Sequence, residues 1–223
     1  MAYRLFYSPG ACSMAPHIAL EEIGCEFELA LISSSGEREG AMTGTDEWRA
    51  VNPKGRVPAL LSVPGNMGGA PSLLTEAPAI LFYLASTHPE AQLLPGDPAA
   101  AARSLEWLNW LSSHVHAMSY GQIWRAHRYS DDEAHLDAIR ARGRKTLLEQ
   151  YAYVERVLGD SRDWAVPQGY SIADAYLLVF FRWGQRIGLA MRAHYPAWSR
   201  LTDRALERPA VARVLEREGL TIE

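Results

Sequence analysis

Apolar positions change period along this chain, and the change divides it in two. In residues 1–87 short alternating runs mix with helical ones. Tyr3–Tyr7 reads as a strand, and Ser13–Ile23 as a helix with Ile18, Ala19, Glu22 and Ile23 on its turns. Phe27–Ile32 alternates Phe27, Leu29 and Leu31 with Glu28 and Ala30, the period of a second strand. The polar, Gly-containing stretch Ser33–Thr45 reads as a loop leading to a short helix near Asp46–Val51. Val57–Leu61 and Ser72–Leu74 read as short strands, joined through Pro64, Gly65, Gly68 and Gly69 by a hairpin loop longer than usual. Glu76–Ala85, striped by Ile80, Leu81 and Leu84, closes this part as a helix. The order βαβαββα predicts a mixed sheet with helices on its faces.

Residues 88–98 carry three prolines and a glycine, which suits a linker. Beyond them the strand signal largely vanishes. Ala99–Tyr120 has helical period through Leu105, Leu108, Leu111, Val115 and Met118, as does Asp131–Leu158 through Leu136, Ile139, Leu147, Tyr151, Val154 and Leu158. Ser171–Ile187, Trp198–Leu206 and Pro209–Glu218 follow as helices. The expected organisation is an α/β domain over 1–87, a linker over 88–98 and an all-α bundle over 99–223.

Composition narrows the function classes. A net charge of −4 without a basic run argues against a nucleic-acid partner. No uninterrupted apolar segment is long enough to span a bilayer, and the N-terminus reads as a strand containing Arg4, not as a secretory signal. Two cysteines without an export signal predict reduced thiols and a cytoplasmic address. No His/Cys/Asp/Glu set has metal-ligand spacing, so no metal is expected.

Four places carry candidate chemistry. In Tyr7-Ser8-Pro9-Gly10-Ala11-Cys12-Ser13 a strand breaks at a turn and a helix follows, placing Cys12 at a helix start. Unpaired backbone N–H groups and the helix dipole there stabilise a thiolate, which lowers a cysteine's pKa. The competing reading is a small buried hydrophobe, the role expected of Cys25. In Asn52-Pro53-Lys54-Gly55-Arg56-Val57-Pro58, a proline opening a strand suits an edge position or a cis bond. A cis bond would turn the Val57 backbone outward to pair with an extended peptide; the alternative is a plain strand-entry turn. In Thr75-Glu76-Ala77-Pro78 a helix begins with free N–H groups that suit a carboxylate, while Glu76 suits an ammonium; ordinary capping competes. Asn109, Ser113 and His116, four and three apart, share one helix face, which is either a solvated side or a polar stripe facing a site. Ser171-Ile172-Ala173-Asp174 reads as a structural capping box. His114, His127 and His135 read as surface residues.

Taken in order and spacing, these motifs resemble the glutathione transferases, most closely the bacterial beta class, essentially from end to end. Glu106-Trp107-Leu108-Asn109-Trp110-Leu111 and Ser171–Leu177 extend the match. The resemblance implies a thioredoxin-like N-terminal domain that binds glutathione as co-substrate, an all-helical C-terminal domain and a homodimer. It implies catalytic roles for three residues: Cys12 contacting the glutathione sulfur or forming a mixed disulfide with it, Ser13 as a hydroxyl donor, and His116 tuning the thiol. Glutathione would be held by Tyr7, Val57, Pro58, Glu76, Ala77, Asn109 and Ser113. Ala77 stands where many relatives carry Ser or Gly, and only Glu37, Arg38 and Glu39 stand where the beta class often has a loop Lys. Trp110, Tyr120, Trp124 and Trp183 would line a pocket for a small hydrophobic electrophile, although aromatics at helical spacing are more often core. Cys12-Ser13-Met14-Ala15 lacks the second cysteine of a Cys-x-x-Cys pair, so the chemistry is monothiol with glutathione as partner. The expected activity is transfer of the glutathione thiolate to small electrophiles. A thiol–disulfide oxidoreductase working through Cys12, or a non-catalytic binding module, stands as the alternative.

Overall fold

The computed structural model describes residues 2–33, 42–63 and 72–223. The expected loop positions Glu37, Arg38, Glu39, Pro64, Gly65, Gly68 and Gly69 lie outside them. Strand β1 (Ala2–Tyr7) is central. It pairs in parallel with β2 (Phe27–Leu31) and antiparallel with β3 (Ala59–Val63), and β3 carries β4 (Ser72–Thr75) at the edge, giving the order β2-β1-β3-β4. Tyr3 faces Phe27 and Leu5 faces Leu60 across the ladders. The sheet is mixed, as the element order predicted.

Alternation along β1 builds two layers of core. Tyr3 and Leu5 point into the large core with α1 (Met14–Ile23) and α3 (Ala77–Thr87). Phe6 points the other way, into a small cluster with Ile32, Trp48 and Ala59 beneath α2 (Asp46–Val51). Helix α1 ends at Gly24, whose φ of 70° lets its N–H bond the Leu20 carbonyl. Strand β3 begins two residues later than the pattern suggested. The Val57–Pro58 peptide is cis, and pairing starts only after a residue with no N–H to give.

Helix α4 (Pro98–Trp110) is capped by Asp97, which accepts from Ala100 N at 2.8 Å. It does not continue at one period to Tyr120. Leu111–Tyr120 winds wider, in π-type turns, and tightens again in α5 (Gly121–Trp124). After α6 (Leu136–Leu158), α7 (Ile172–Arg186) runs through the middle of the bundle, apolar nearly all round. Its expected capping box is present, and Asp174 also accepts from Ala165 N at 2.7 Å. Burial pushes the Asp174 carboxyl up to about 6. The short α8 (Met191–His194) has no strong sequence signal, and α9 (Pro196–Leu206) starts at a proline in its first position.

Helix α10 (Pro209–Glu218) returns to the back of α1. There His17 Nδ1 lies 2.8 Å from Glu218 Oε1, both side chains fully buried. Glu21 meets Arg213 and Arg217 at 2.5 and 2.7 Å, and Glu22 meets Arg208 at 2.5 Å. The α/β layer is thus tied to the bundle through α1.

Candidate active site

The turn from Ser8 to Ser13 is held from two sides. The Ser13 hydroxyl donates to Ser8 O at 3.0 Å and accepts from Ser8 N at 3.1 Å, closing the turn on itself. Ser13 is fully buried, and its hydroxyl shapes the loop that carries Cys12. Gly10 has φ +67°, and a Cβ there would collide with the Arg182 guanidinium. Its N–H donates to Glu218 Oε2 at 2.7 Å, and its carbonyl accepts from Trp183 Nε1 at 2.8 Å. Helices α7 and α10 therefore position the turn that carries Cys12.

Cys12 sits just ahead of α1, 6% exposed, and its thiol donates to the Val57 carbonyl at 3.6 Å. Backbone N–H groups of Cys12 and Ser13 lower its pKa, as a helix start should. Burial outweighs them and pushes the thiol up to about 12. The expectation of a lowered pKa is corrected: Cys12 is a neutral hydrogen-bond donor. Cys25 is half-buried at the edge of the core.

Cys12 opens on a cavity of about 820 Å³ between the sheet and the bundle. Val57, Pro58, Glu76 and Ala77 line one wall; Ser112, His116, Tyr120, Trp124, Tyr176 and Trp183 line the other. Asn52 Nδ2 and Trp48 Nε1 donate to the Arg56 carbonyl at 2.7 and 3.3 Å, which fixes the turn before Val57. Glu76 adopts φ 72°, a strained value for a side chain of its kind. It does not cap α3 through its side chain, so ordinary capping does not explain it. Its carboxylate instead accepts from Lys54 Nζ at 2.8 Å, and Lys54 also donates to Thr75 Oγ1 at 2.9 Å.

The wide turns of the π segment change which residues share a face. With more residues per turn, Ser113 three before His116 rotates away, while Ser112 four before it stays alongside. Ser113 is exposed and donates to Asn109 O at 2.7 Å, and exposed Asn109 also stands outside the cavity wall. Neither lines the cavity beside His116, where Ser112 stands instead. His116 is half-buried, its ring edge-on to Trp183 at 4.8 Å. Burial, then Arg125, Arg56 and Arg128, push its pKa down to about 4, so the imidazole is neutral near pH 7.

The aromatic residues divide. Tyr120, Trp124 and Trp183 meet at the cavity, with Trp124 4.9 Å from Trp183 and 4.5 Å from Tyr120. Trp110 does not join them. It packs on Trp107 and Tyr153 in a separate cavity of about 460 Å³, which removes it from the expected pocket. Tyr7 likewise lies outside the wall, edge-on to His17 at 6.0 Å. His114, His127 and His135 are exposed. Sequence reasoning missed the cations Arg49, Arg125, Arg128 and Arg186, which line the cavity with Lys54 and Arg56. Two basic residues three apart directly after Trp124 were the available signal. Among the described residues no three His, Cys, Asp or Glu side chains come together as a metal site, and no helix is long and apolar enough to cross a membrane.

A thiol ahead of a helix, facing a residue before a cis-proline under a helical roof, defines a thioredoxin-like fold adapted to hold an external thiol. Residues 1–86 match the model of the glutathione S-transferase N-terminal domain, and residues 127–209 that of the C-terminal domain. The chain belongs to the glutathione S-transferase family. It is 37% identical to glutathione S-transferase GstA of Escherichia coli O157:H7 over 97% of this chain and 99% of that one. A glutathione transferase homologue from Sulfitobacter with bound glutathione superposes with TM-score 0.86 at 28% identity, covering 99% of both chains. A bacterial beta class glutathione S-transferase of Sphingomonas chungbukensis gives 0.79 at 32%, covering 98% of this chain and 100% of the other.

Proposed function

We propose that this transferase binds glutathione along the Val57 edge and passes its thiolate to small electrophiles. The observation that carries the reading is the convergence of Cys12, Val57, Glu76, Ala77 and His116 on one cavity. Glu76 and the first turn of α3 suit the ammonium and carboxylate of the γ-glutamyl end. The glutathione sulfur then lies near Cys12 and His116. Because His116 is neutral, one ring N–H is available to donate to that sulfur as a thiolate, and the thiol proton passes to water. Cys12 adds a second neutral donor. Its raised pKa weighs against attack by Cys12 itself, and so against the disulfide-exchange reading.

The test is to follow the thioether formed from glutathione and an activated aryl chloride. Wild-type protein should form it and His116→Ala should do so far more slowly. Failure of the folded protein to bind immobilised glutathione would overturn the reading in favour of a non-catalytic module.

Further assignments belong with this proposal: division into domains 1–87 and 99–223 around the 88–98 linker, a homodimer, a cytoplasmic address and a detoxifying role. The two family-model matches, over 1–86 and 127–209, support the division, the dimer and the role, and the free state of both cysteines fits a reducing compartment. Light scattering on the purified protein checks the dimer; a monomeric mass rejects it.

A further inference from the structure

Among the described residues six cations line the cavity, and one carboxylate, Glu76, stands among them. Three of the cations have local partners. Lys54 sits on Glu76 at 2.8 Å, Arg49 lies 3.6 Å from Asp46, and Arg186 stacks over Trp124 at 5.3 Å. Among the described residues Arg56, Arg125 and Arg128 pair with no carboxylate. Arg125 is half-buried and Arg56 and Arg128 are exposed at the cavity rim. Three guanidinium groups without a carboxylate among the described residues repel each other, and a ligand of opposite charge relieves that repulsion. Burial and this mutual repulsion both hold Arg128 down at about 10.

Glutathione does not account for all three. It carries two carboxylates and one ammonium, and the γ-glutamyl pair belongs to Glu76 and the α3 start. That leaves the glycine carboxylate and the thiolate. Once the sulfur is alkylated the thiolate charge is gone, and two of the three arginines face no anion. Arg125 directly follows Trp124, and Arg128 lies one 3₁₀ turn further; both line the cavity that Tyr120, Trp124 and Trp183 line, and both act on His116.

We infer that the electrophile this enzyme prefers is an apolar body bearing a carboxylate, held by Arg125 and Arg128 with Arg56 beside them. The inference rests on the glutathione reading above. A carboxylate in this place suits bidentate guanidinium contacts, and a cationic cavity raises the local concentration of anions.

The experiment compares S-benzylglutathione with S-(4-carboxybenzyl)glutathione by titration calorimetry on the wild type and on the Arg125→Gln, Arg128→Gln double variant. The wild type should bind the carboxylated conjugate about tenfold more tightly, and the double variant should lose that preference. Equal wild-type affinities overturn the inference. A variant that binds both conjugates more weakly but keeps their ratio also overturns it, because the arginines then serve the glycine carboxylate common to both. No binding of either conjugate by the wild type overturns the glutathione reading itself. Should the variant not fold, raising salt from about 0.05 M to about 0.5 M on the wild type must erode the preference, and a ratio unmoved by salt is a refutation.

Discussion

The two sides of the Cys12 turn hold charge in opposite ways. Behind it, along α1, each carboxylate is matched: Glu218 with His17 and the Gly10 N–H, Glu21 with Arg213 and Arg217, Glu22 with Arg208. In front of it, cations outnumber acids, and Arg56, Arg125 and Arg128 line the wall without an acidic partner among the described residues. Matched charge at this seam serves architecture: the carboxylates of Glu21, Glu22 and Glu218 are largely buried, and a buried carboxylate left alone would be costly. Unmatched charge around a cavity serves a ligand. The turn between them takes its position from the first set and its chemistry from the second.

Substitutions on each side should separate these roles. The largest effect belongs to Glu218→Ala, which strips the acceptor from both buried His17 and Gly10. Denaturant unfolding should show a loss of about 3–5 kcal/mol, and a loss under about 1 kcal/mol would dissolve the contrast. Next comes His116→Ala, expected to lower kcat/KM for conjugation about 100-fold while leaving the fold intact. Cys12→Ala should cost less than about tenfold in the same assay, because a neutral thiol donor supports the sulfur without attacking. A larger loss, with a reducible glutathione adduct on Cys12 by mass spectrometry, would move the chemistry to Cys12.

A smaller effect follows from pH. The folded pKa of His116 lies near 4 against an ordinary 6.5, so between those values the unfolded chain takes up a proton that the folded one refuses. Stability from this source is complete above 6.5 and lost as pH falls toward 4. In urea titrations across that range His116→Gln should flatten the decline, and an unchanged slope would show that His116 is not desolvated. Smaller still are the changes at two arginines, one on each side; behind the turn, Arg213 leaves its partner Glu21 still paired with Arg217. Arg213→Ala should cost about 1 kcal/mol, whereas Arg125→Gln should cost nothing measurable in stability, and a reversed order would break the comparison.

Local chemistry made much of the site legible in the sequence. Pro58 at a strand entry suits an edge position or a cis bond, and the bond is cis; Ser171 and Asp174 predicted the capping box, and Ser8-Pro9-Gly10 placed Cys12 beside a helix start. Each of these rests on residues within a few positions of one another. Other placements depend on packing that spacing does not carry. A 3.6-residue period puts Asn109 and Ser113 beside His116, but the π segment abandons that period, so Ser112 stands there instead. Ser13, expected as a hydroxyl donor beside Cys12, closes the turn onto Ser8. Trp110 has the same composition signal as Trp124 and Trp183 but lies on another face of the bundle.

The sequence by itself determined the mixed sheet, the helical second part, the monothiol at a helix start and the family these define, because period, turn residues and motif spacing are local properties. Only the tertiary structure decided the state of Cys12, since helix-start amides and burial act in opposite directions and their balance depends on what packs above. It alone brought Arg56 from the sheet side to Arg125 and Arg128 from the bundle, because charges distant in sequence share a cavity only once α1 is docked.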